Sequence, residues 1–184
     1  MSIKGLEQAI ANLNSISTTA VPRASAQAVN RVATRAVNKS VSVVSKDTQV
    51  PRKLVKQRTR VRRATVKKPR ALIRVNRGNL PAIKLGTASV RLSRRKRDRR
   101  GANSVLRIGP FRFPGAFIQQ LKNGRWHVMR RTAKPRYPIE VVSIPLAVPL
   151  TTAFKDELPK LMETDMPKEL RASLKNQLRL ILKR

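Results

Sequence analysis

The sequence contains no cysteine, a single histidine (His127), and so few aromatic residues that they make up 3% of the chain. The absence of cysteine excludes disulfides, thiolate chemistry and cysteine-based zinc sites, and one histidine cannot build a histidine-rich metal cluster. The core must therefore be built mainly from Val, Leu, Ile and Ala. We expect no metal and no other cofactor.

Long apolar runs are also missing from the sequence. No stretch approaches the roughly 20 consecutive apolar residues of a transmembrane helix, and the N-terminal residues MSIKGLEQAI contain no apolar signal-peptide core. We therefore expect no membrane partner and a cytoplasmic location after synthesis. The length of 184 residues is enough for one domain with a hydrophobic core of its own.

Acidic residues are scarce, since nine Asp and Glu stand against 42 Lys and Arg and give a formal net charge of +33. So much charge of one sign repels itself unless a polyanion or acidic neighbours neutralise it. Nucleic acid is the default partner, because phosphate contacts need only Lys and Arg at the surface. An acidic protein surface and an anionic membrane face are the alternatives.

The distribution of charge predicts how the chain is organised. Between residues 48 and 139 the only acid is Asp98, against 28 Lys and Arg, whereas five of the nine acids lie between residues 156 and 169. We predict a single α+β domain with a small, mostly antiparallel sheet. Its parts are an N-terminal helical segment (1–50), a basic β-rich core (51–150) with a long loop at 91–104, and C-terminal helices (151–184).

Apolar residues at three- and four-residue spacing predict two N-terminal helices. One face of the first consists of Ile3, Leu6, Ile10 and Leu13. We expect the second helix to begin at Pro22, with Thr18 or Thr19 as a cap before its N-terminus. We expect Pro51 to end this helix.

The C-terminal segment predicts two more helices. The first is expected at 151–161, where Pro159 can end it early. The second is expected at 168–182, with an apolar face formed by Leu170, Leu174, Leu178 and Ile181.

Short strands are predicted in the middle of the chain at 71–75, 82–85, 89–92, 105–108 and 137–144. The Lys and Arg interspersed in them indicate a sheet with one buried and one wet face, and an arginine-bearing wet face can meet DNA or an acidic partner. Asn123-Gly124 predicts a hairpin between 116–121 and 126–129. We expect this hairpin to bury Phe117 and Trp126.

Two basic stretches are the candidate contact sites. The first is 52–63, with seven basic residues, and the second is the run 91–100, with seven basic residues in ten positions, which we interpret as a hairpin loop. The loop is either a solvated loop without a specific partner or a contact to phosphates or a protein. The candidate DNA- or partner-contacting residues are Arg52, Lys53, Lys56, Arg58, Arg60, Arg62, Arg63, Arg94, Arg95, Lys96, Arg97, Arg99 and Arg100.

Catalytic motifs are missing. His127 beside Trp126 is expected to be a structural residue, and the acids offer no D-x-D or D-x-E pair for a two-metal nuclease. Glu163 and Asp165 come nearest to such a pair, but we expect them to be solvated.

There is no P-loop and no G-x-G-x-x-G fingerprint, and no module that reads bases. We predict that the chain is not an enzyme and that any contact with DNA is to the duplex backbone.

Five phrases of the sequence are distinctive: IKGLEQAIANL at 3–13, RKLVKQR at 52–58, NLPAIKLG at 79–86, PGAFIQQLKNGRWHVM at 114–129 and VPLTTAFK at 148–155. In this order they resemble the minor tail protein Z family of lambda-like bacteriophages. The resemblance implies a non-catalytic structural protein that completes the tail at its head-proximal end and is needed for the genome end to enter the tail and for infectivity. The element order is also similar to that of other phage tail-completion proteins.

The same resemblance implies the partners and the location. The partners are the tail terminator protein, other tail or neck proteins and double-stranded phage DNA. The similarity to the wider group of tail-completion proteins favours a homo-oligomeric ring. The location is the virion tail, after a period in the host cytoplasm. A free, sequence-independent nucleic-acid-binding protein is the alternative that composition permits, and a DNA end-processing nuclease is disfavoured by the missing acid pairs.

Overall fold

The computed structural model describes residues 3–91, 104–132 and 138–182. Its helices are α1 (Ile3–Ser15), α2 (Val21–Thr48), α3 (Arg52–Lys56), α4 (Ala147–Thr164) and α5 (Met166–Leu182). Its strands are β1 (Thr59–Arg62), β2 (Leu72–Val75), β3 (Leu80–Pro81), β4 (Ala88–Arg91), β5 (Val105–Ile108), β6 (Phe111–Pro114), β7 (Ala116–Gln120), β8 (Trp126–Arg131), β9 (Ile139–Val141) and β10 (Ser143–Ile144). The α+β prediction is confirmed. No helix in these ranges is long and apolar enough to cross a membrane.

Helix α2 begins at Val21, so Pro22 lies in its first turn as predicted, but no break separates α2 from the preceding helix. A π-helical turn at Ile16–Ala20 carries the chain from α1 into α2. The Thr18 hydroxyl donates to the Asn14 carbonyl at 2.6 Å instead of capping a helix. Pro22 is tolerated because the wider turn before it changes the usual hydrogen-bond ladder.

Helix α4 also differs from its prediction, because it begins at Ala147 and runs through Pro159 to Thr164. A proline inside a helix removes one backbone hydrogen bond and crowds the preceding turn. Ala153 and Leu161, on either side of the proline, are buried. Packing of this kind stabilises a helix more than local propensity does, so the proline does not end it.

Within the described residues the strands form four antiparallel sheets of two or three strands, in the orders β1-β2, β10-β3, β4-β5-β6 and β7-β8-β9. The predicted strand at 82–85 is wrong, because these residues form a 3-10 turn. Strand β3 lies just before it, and the Ala82 N–H donates to the Val142 carbonyl at 2.9 Å. The strand predicted at 137–144 is divided between β9 and β10, and Tyr137 lies outside the described residues.

The contacts group the described chain into two compact units. The first, built from 1–43, 56–75 and 150–184, packs Val32, Ala36 and Leu161 against Ile73 and Met166. The second, built from 44–55 and 76–149, has a core of Ala82, Leu106, Ile108, Ala116 and Val128, with Phe113 and Ile118 packed on it. Each unit combines segments distant in sequence, and the predicted division into three consecutive parts of one domain stays a prediction.

The hairpin at Asn123-Gly124 is confirmed, with Gln120 opposite Trp126 and Gly124 at a positive φ of 74°. The expected burial of Trp126 is wrong, since this side chain is 55% exposed. Ala116, Ile118 and Val128 pack in the core, but Trp126 lies two residues beyond Val128, at the turn end of the strand. The hairpin therefore extends past the core, and the aromatic ring extends with it.

Candidate nucleic-acid interface

Strands β1 and β2, with the connecting residues 63–71, form a hairpin that we call the basic ribbon. Its register places Arg60 opposite Arg74 and Arg62 opposite Leu72. Because side chains alternate along a strand, these four residues share one face, and all four are exposed. The basic ribbon therefore presents three arginines from two strands on a single wet face.

The directly opposed pair Arg60 and Arg74 is unfavourable within the chain, since like charges opposite each other destabilise a strand pair. In the ranges that the structure describes, neither arginine makes an ion pair with a carboxylate. An anion placed over this face relieves the repulsion.

The other face of the basic ribbon is mainly apolar and contacts the core of its unit through strand β2, whereas Val61 of β1 is exposed. Thr59, Val61, Ile73 and Val75 alternate with the arginines, and Ile73 packs against the core residues Val32, Ala36 and Leu161. The arginine face is therefore held by a packed surface rather than by a free loop.

Asn30 of α2 anchors the end of strand β1. Its Nδ2 donates to the Ala64 carbonyl at 2.9 Å, and its Oδ1 accepts from the Ala64 N–H at 2.8 Å. Ala64 is buried, so these bonds satisfy a backbone donor and acceptor that water does not reach freely. The amide thus fixes where the ribbon leaves the helical surface.

The connecting residues of the basic ribbon add further positive charge. Thr65 and Lys68 exchange two backbone hydrogen bonds, of 2.9 and 3.1 Å, which close a tight turn. Lys67, Lys68 and Arg70 are exposed in this turn. The positive charge of the ribbon therefore continues from its strands around its end.

A second arginine-bearing surface lies in the other unit, on the sheet β4-β5-β6. Arg107 pairs with Arg112 across β5 and β6, and Arg91 lies on the same face of β4. All three are exposed, while Leu106 and Ile108 on the opposite face are fully buried. This arginine face confirms that the sheet has one buried and one wet side.

The structure distributes the sequence-predicted contact residues over several elements. Arg52, Lys53 and Lys56 are exposed on α3, and the Lys56 Nζ donates to the Asn38 Oδ1 at 3.3 Å. Arg58 is half-buried before β1. Arg60 and Arg62 lie in the basic ribbon, and Arg63 lines a shallow depression of 380 Å³ with Asn30, Arg31, Thr34 and Arg35.

Of the seven cations in the second basic stretch, Arg91 lies on β4, and the other six lie outside the described residues. They are Arg94, Arg95, Lys96, Arg97, Arg99 and Arg100, between the end of β4 and the start of β5. Strands β4 and β5 on either side of them pair antiparallel, and the predicted hairpin loop itself lies outside the described residues. A role for this loop stays a prediction.

The candidate residues named from the sequence do not include Arg74, Arg107 and Arg112, although the predicted wet face covers the strands of Arg74 and Arg107. Each is a single cation inside a short apolar strand, so no basic run marks it. They are identified by the alternation of side chains along each strand together with the pairing register between strands. Only this register shows which cations lie opposite each other.

Three cations of α2, Arg31, Arg35 and Lys39, contrast with those of the strands because carboxylates bind them. The Lys39 Nζ lies 2.7 Å from the Glu157 Oε2, and Arg31 contacts Glu169 at 3.0 Å. Arg35 binds Asp165 at 2.9 Å and also Glu169. We call Arg31, Arg35, Lys39, Glu157, Asp165 and Glu169 the helical charge cluster.

The pKa values in the helical charge cluster follow from these contacts. The hydrogen bond from Arg35 lowers the pKa of Asp165, and the one from Lys39 lowers the pKa of Glu157. The hydrogen bond to Asp165, with the charge of Glu169, raises the pKa of Arg35. Asp165 is therefore not a freely solvated carboxylate, contrary to expectation, whereas Glu163 is exposed.

No metal centre is visible in the part of the chain that the structure describes, where no three His, Asp or Glu side chains group in a way that could hold an ion. The half-buried imidazole of His127 lies on β8 opposite Gln119, with no acid opposite it in the sheet. The arginine-bearing surfaces remain the principal candidate site.

Comparison with known proteins identifies relatives along the full length of the chain. The chain is 89% identical over 184 residues to the tail completion protein of Escherichia phage N15, and 59% identical over 192 residues to tail completion protein Z of Escherichia phage lambda. Both matches cover 100% of this chain and of the relative. No solved structure matches. The model of the family described as prophage minor tail protein Z matches residues 3–184, and the chain therefore belongs to this family.

Proposed function

We propose that the chain is a structural, non-catalytic component of a phage tail, which completes the tail at its head-proximal end. The support is its membership of the minor tail protein Z family and its full-length similarity to two proteins named for tail completion. In this role it is needed to position the genome end in the tail and for infectivity. Its place is the virion tail, after synthesis in the host cytoplasm.

The proposed partners are the tail terminator protein, other tail or neck proteins, further copies of the chain in a ring, and double-stranded phage DNA. The observation that carries the DNA contact is the pairing of arginine with arginine in two separate sheets, Arg60 with Arg74 and Arg107 with Arg112. DNA phosphates neutralise such surfaces without reading bases. The contact is therefore sequence-independent.

A deletion phage tests the tail-completion role. Without the chain, heads and tails of normal length should form and join, and the particles should have very low infectivity. Complementation with the intact chain should restore infectivity and place the chain in purified particles. Tails of altered length, or an accumulation of free heads, would instead indicate a role in length control or joining.

A salt series tests DNA contact by the second basic stretch. Each neutralised phosphate contributes about 0.9 to the slope of log K against log salt concentration. Replacing Arg94, Arg95, Arg97 and Arg99 by Gln should flatten the slope by up to about 3.6 units, equally for duplexes of unrelated sequence. An unchanged slope together with lost infectivity would assign this stretch to an acidic protein partner.

The net charge of +33 also favours the alternative of a free nucleic-acid-binding protein. The two functions differ in where the chain resides. Recovery of the chain in purified virions, and not on ribosomes or the nucleoid, supports the tail role, and the reverse distribution supports the alternative.

A further inference from the structure

Helix α5 buries the polar side chains of one stripe and leaves a leucine stripe partly open. Glu169, Ser173 and Gln177, spaced four residues apart, are 9%, 1% and 7% exposed. Leu170, Leu174 and Leu178, also spaced by four, are only half-buried. An amphipathic helix normally buries its apolar stripe, so the leucine stripe is available for a contact outside the described chain.

The leucine stripe has the shape of a docking surface. With Pro167 it forms the floor of an open depression of 770 Å³ along α5. Leucines at successive four-residue steps lie on one side of a helix. A second helix laid along them buries apolar surface over about three turns.

A row of cations borders the leucine stripe. Arg171, Lys175 and Arg179 each follow one of the leucines, line the same depression and are exposed. Arg179 reaches the Asn176 side chain at 3.4 Å, and in the described ranges no carboxylate pairs with any of the three. The surface therefore has an apolar floor and one positive edge.

We infer that the leucine stripe and its cation row dock an acidic amphipathic helix of another virion protein. The partner helix carries apolar residues at three- and four-residue spacing, which cover Leu170, Leu174 and Leu178. Its carboxylates lie along the edge that meets Arg171, Lys175 and Arg179. Opposite charges beside an apolar seam set the choice and orientation of a partner helix.

Charge complementarity argues against a second copy as the occupant. A second α5 in the same seam would place another Arg171, Lys175 and Arg179 against the first cation row, like charge against like. Duplex DNA satisfies the cations but leaves the leucines uncovered. A helix that is both acidic and apolar satisfies both features of the surface.

The inference rests on the proposed presence of the chain in the virion, and site-specific crosslinking in particles tests it. A deletion phage is complemented with the full chain carrying a photoreactive benzophenone amino acid in place of the exposed Lys175. Purified particles are irradiated, and the crosslinked peptides are identified by mass spectrometry. The benzophenone in place of Leu180, 51% exposed on another side of α5, serves as the positional control.

The expected adduct joins position 175 to a segment of another virion protein that has apolar residues at helical spacing and an acidic edge. Its yield should fall about tenfold when Arg171→Glu and Arg179→Glu are added, since each lost pair weakens binding and each new carboxylate repels the partner. The charge-matched control, Lys122→Glu with Arg125→Glu at the turn between β7 and β8, should leave the yield unchanged.

An adduct with DNA or with a second copy, the absence of an adduct, or equal yields in both charge variants would overturn the inference. These outcomes leave the tail-completion proposal intact, because the chain is then still found in the particle. Purified particles without the chain would instead refute the tail-completion proposal and the docking inference together.

Discussion

The helical charge cluster and the basic ribbon lie in the same unit, and both contain basic side chains. Carboxylates bind those of the cluster, whereas those of the ribbon face other arginines or solvent. In the cluster, Arg31, Arg35 and Lys39 are each bound by a carboxylate from the C-terminal helices. In the ribbon, Arg60 and Arg74 face each other, with no carboxylate of the described residues bound to them. The difference shows that net charge alone does not locate a contact surface, because part of it is neutralised within the fold.

Removing the carboxylate shared by two arginines should give the largest loss of stability in this comparison. Glu169→Ala deprives Arg31 and Arg35 of a buried partner, and we expect a loss of about 1–3 kcal/mol in the free energy of unfolding. Urea unfolding measures it. The control Glu163→Ala, at an exposed position, should stay within about 0.5 kcal/mol of the unaltered protein. Equal losses would show that the cluster does not stabilise the fold.

The anchor of the ribbon should be the next most sensitive position. Asn30→Ala removes both hydrogen bonds to Ala64 and should cost about 1–2 kcal/mol, because it leaves a buried backbone N–H and carbonyl without partners. Gln27→Ala, at an exposed position of the same helix, is the control. Urea unfolding without a difference between the two variants would contradict the anchoring role of Asn30.

The free energy of unfolding at acidic pH should depend on Asp165. Its pKa is lowered in the folded protein, so its contribution is complete above its unfolded pKa of about 3.9 and is lost as pH falls through the lower folded value. Asp165→Asn should therefore reduce stability at neutral pH and flatten the decline toward about pH 3. Urea midpoints across this range measure both effects. Parallel profiles for the two proteins would contradict the pKa direction.

The smallest effect is expected at Trp126, which lies beyond the core at the end of its hairpin. Trp126→Ala should change the free energy of unfolding by no more than about 0.5 kcal/mol, as for other surface substitutions. Leu106→Ala, at a fully buried position of the same unit, should cost about 2–5 kcal/mol and serves as the comparison. A large loss for Trp126→Ala would mean that this ring is covered in solution.

Local patterns in the sequence predicted most of the elements, and non-local packing explains the errors. The Asn123-Gly124 turn and the leucine spacing of α5 were sufficient to predict a hairpin and a helix. The buried stripe of α5 was not predictable, because Glu169 is held by arginines more than 130 residues earlier in the chain. Pro159 was expected to end α4, since the burial of Leu161 that stabilises the helix is a tertiary contact.

The candidate site was predictable only in part for the same reason. Dense runs identify Arg60 and Arg62, but Arg74, Arg107 and Arg112 are isolated cations in separate strands. Composition cannot show which arginines face each other, nor which are neutralised by carboxylates. Strand register and helix packing decide both.

The central claim is that the ribbon arginines contact DNA, whereas the α2 cations of the helical charge cluster stabilise the fold. Two charge-matched triple variants test it. One replaces Arg60, Arg62 and Arg74 by Gln, and the other replaces Arg31, Arg35 and Lys39 by Gln. Duplex binding is measured over a salt series under conditions where each protein is folded. The ribbon variant should flatten the slope of log K against log salt concentration by up to about 2.7 units. The helix variant should keep the slope and unfold at lower urea, and equal slope changes in both variants would contradict the claim.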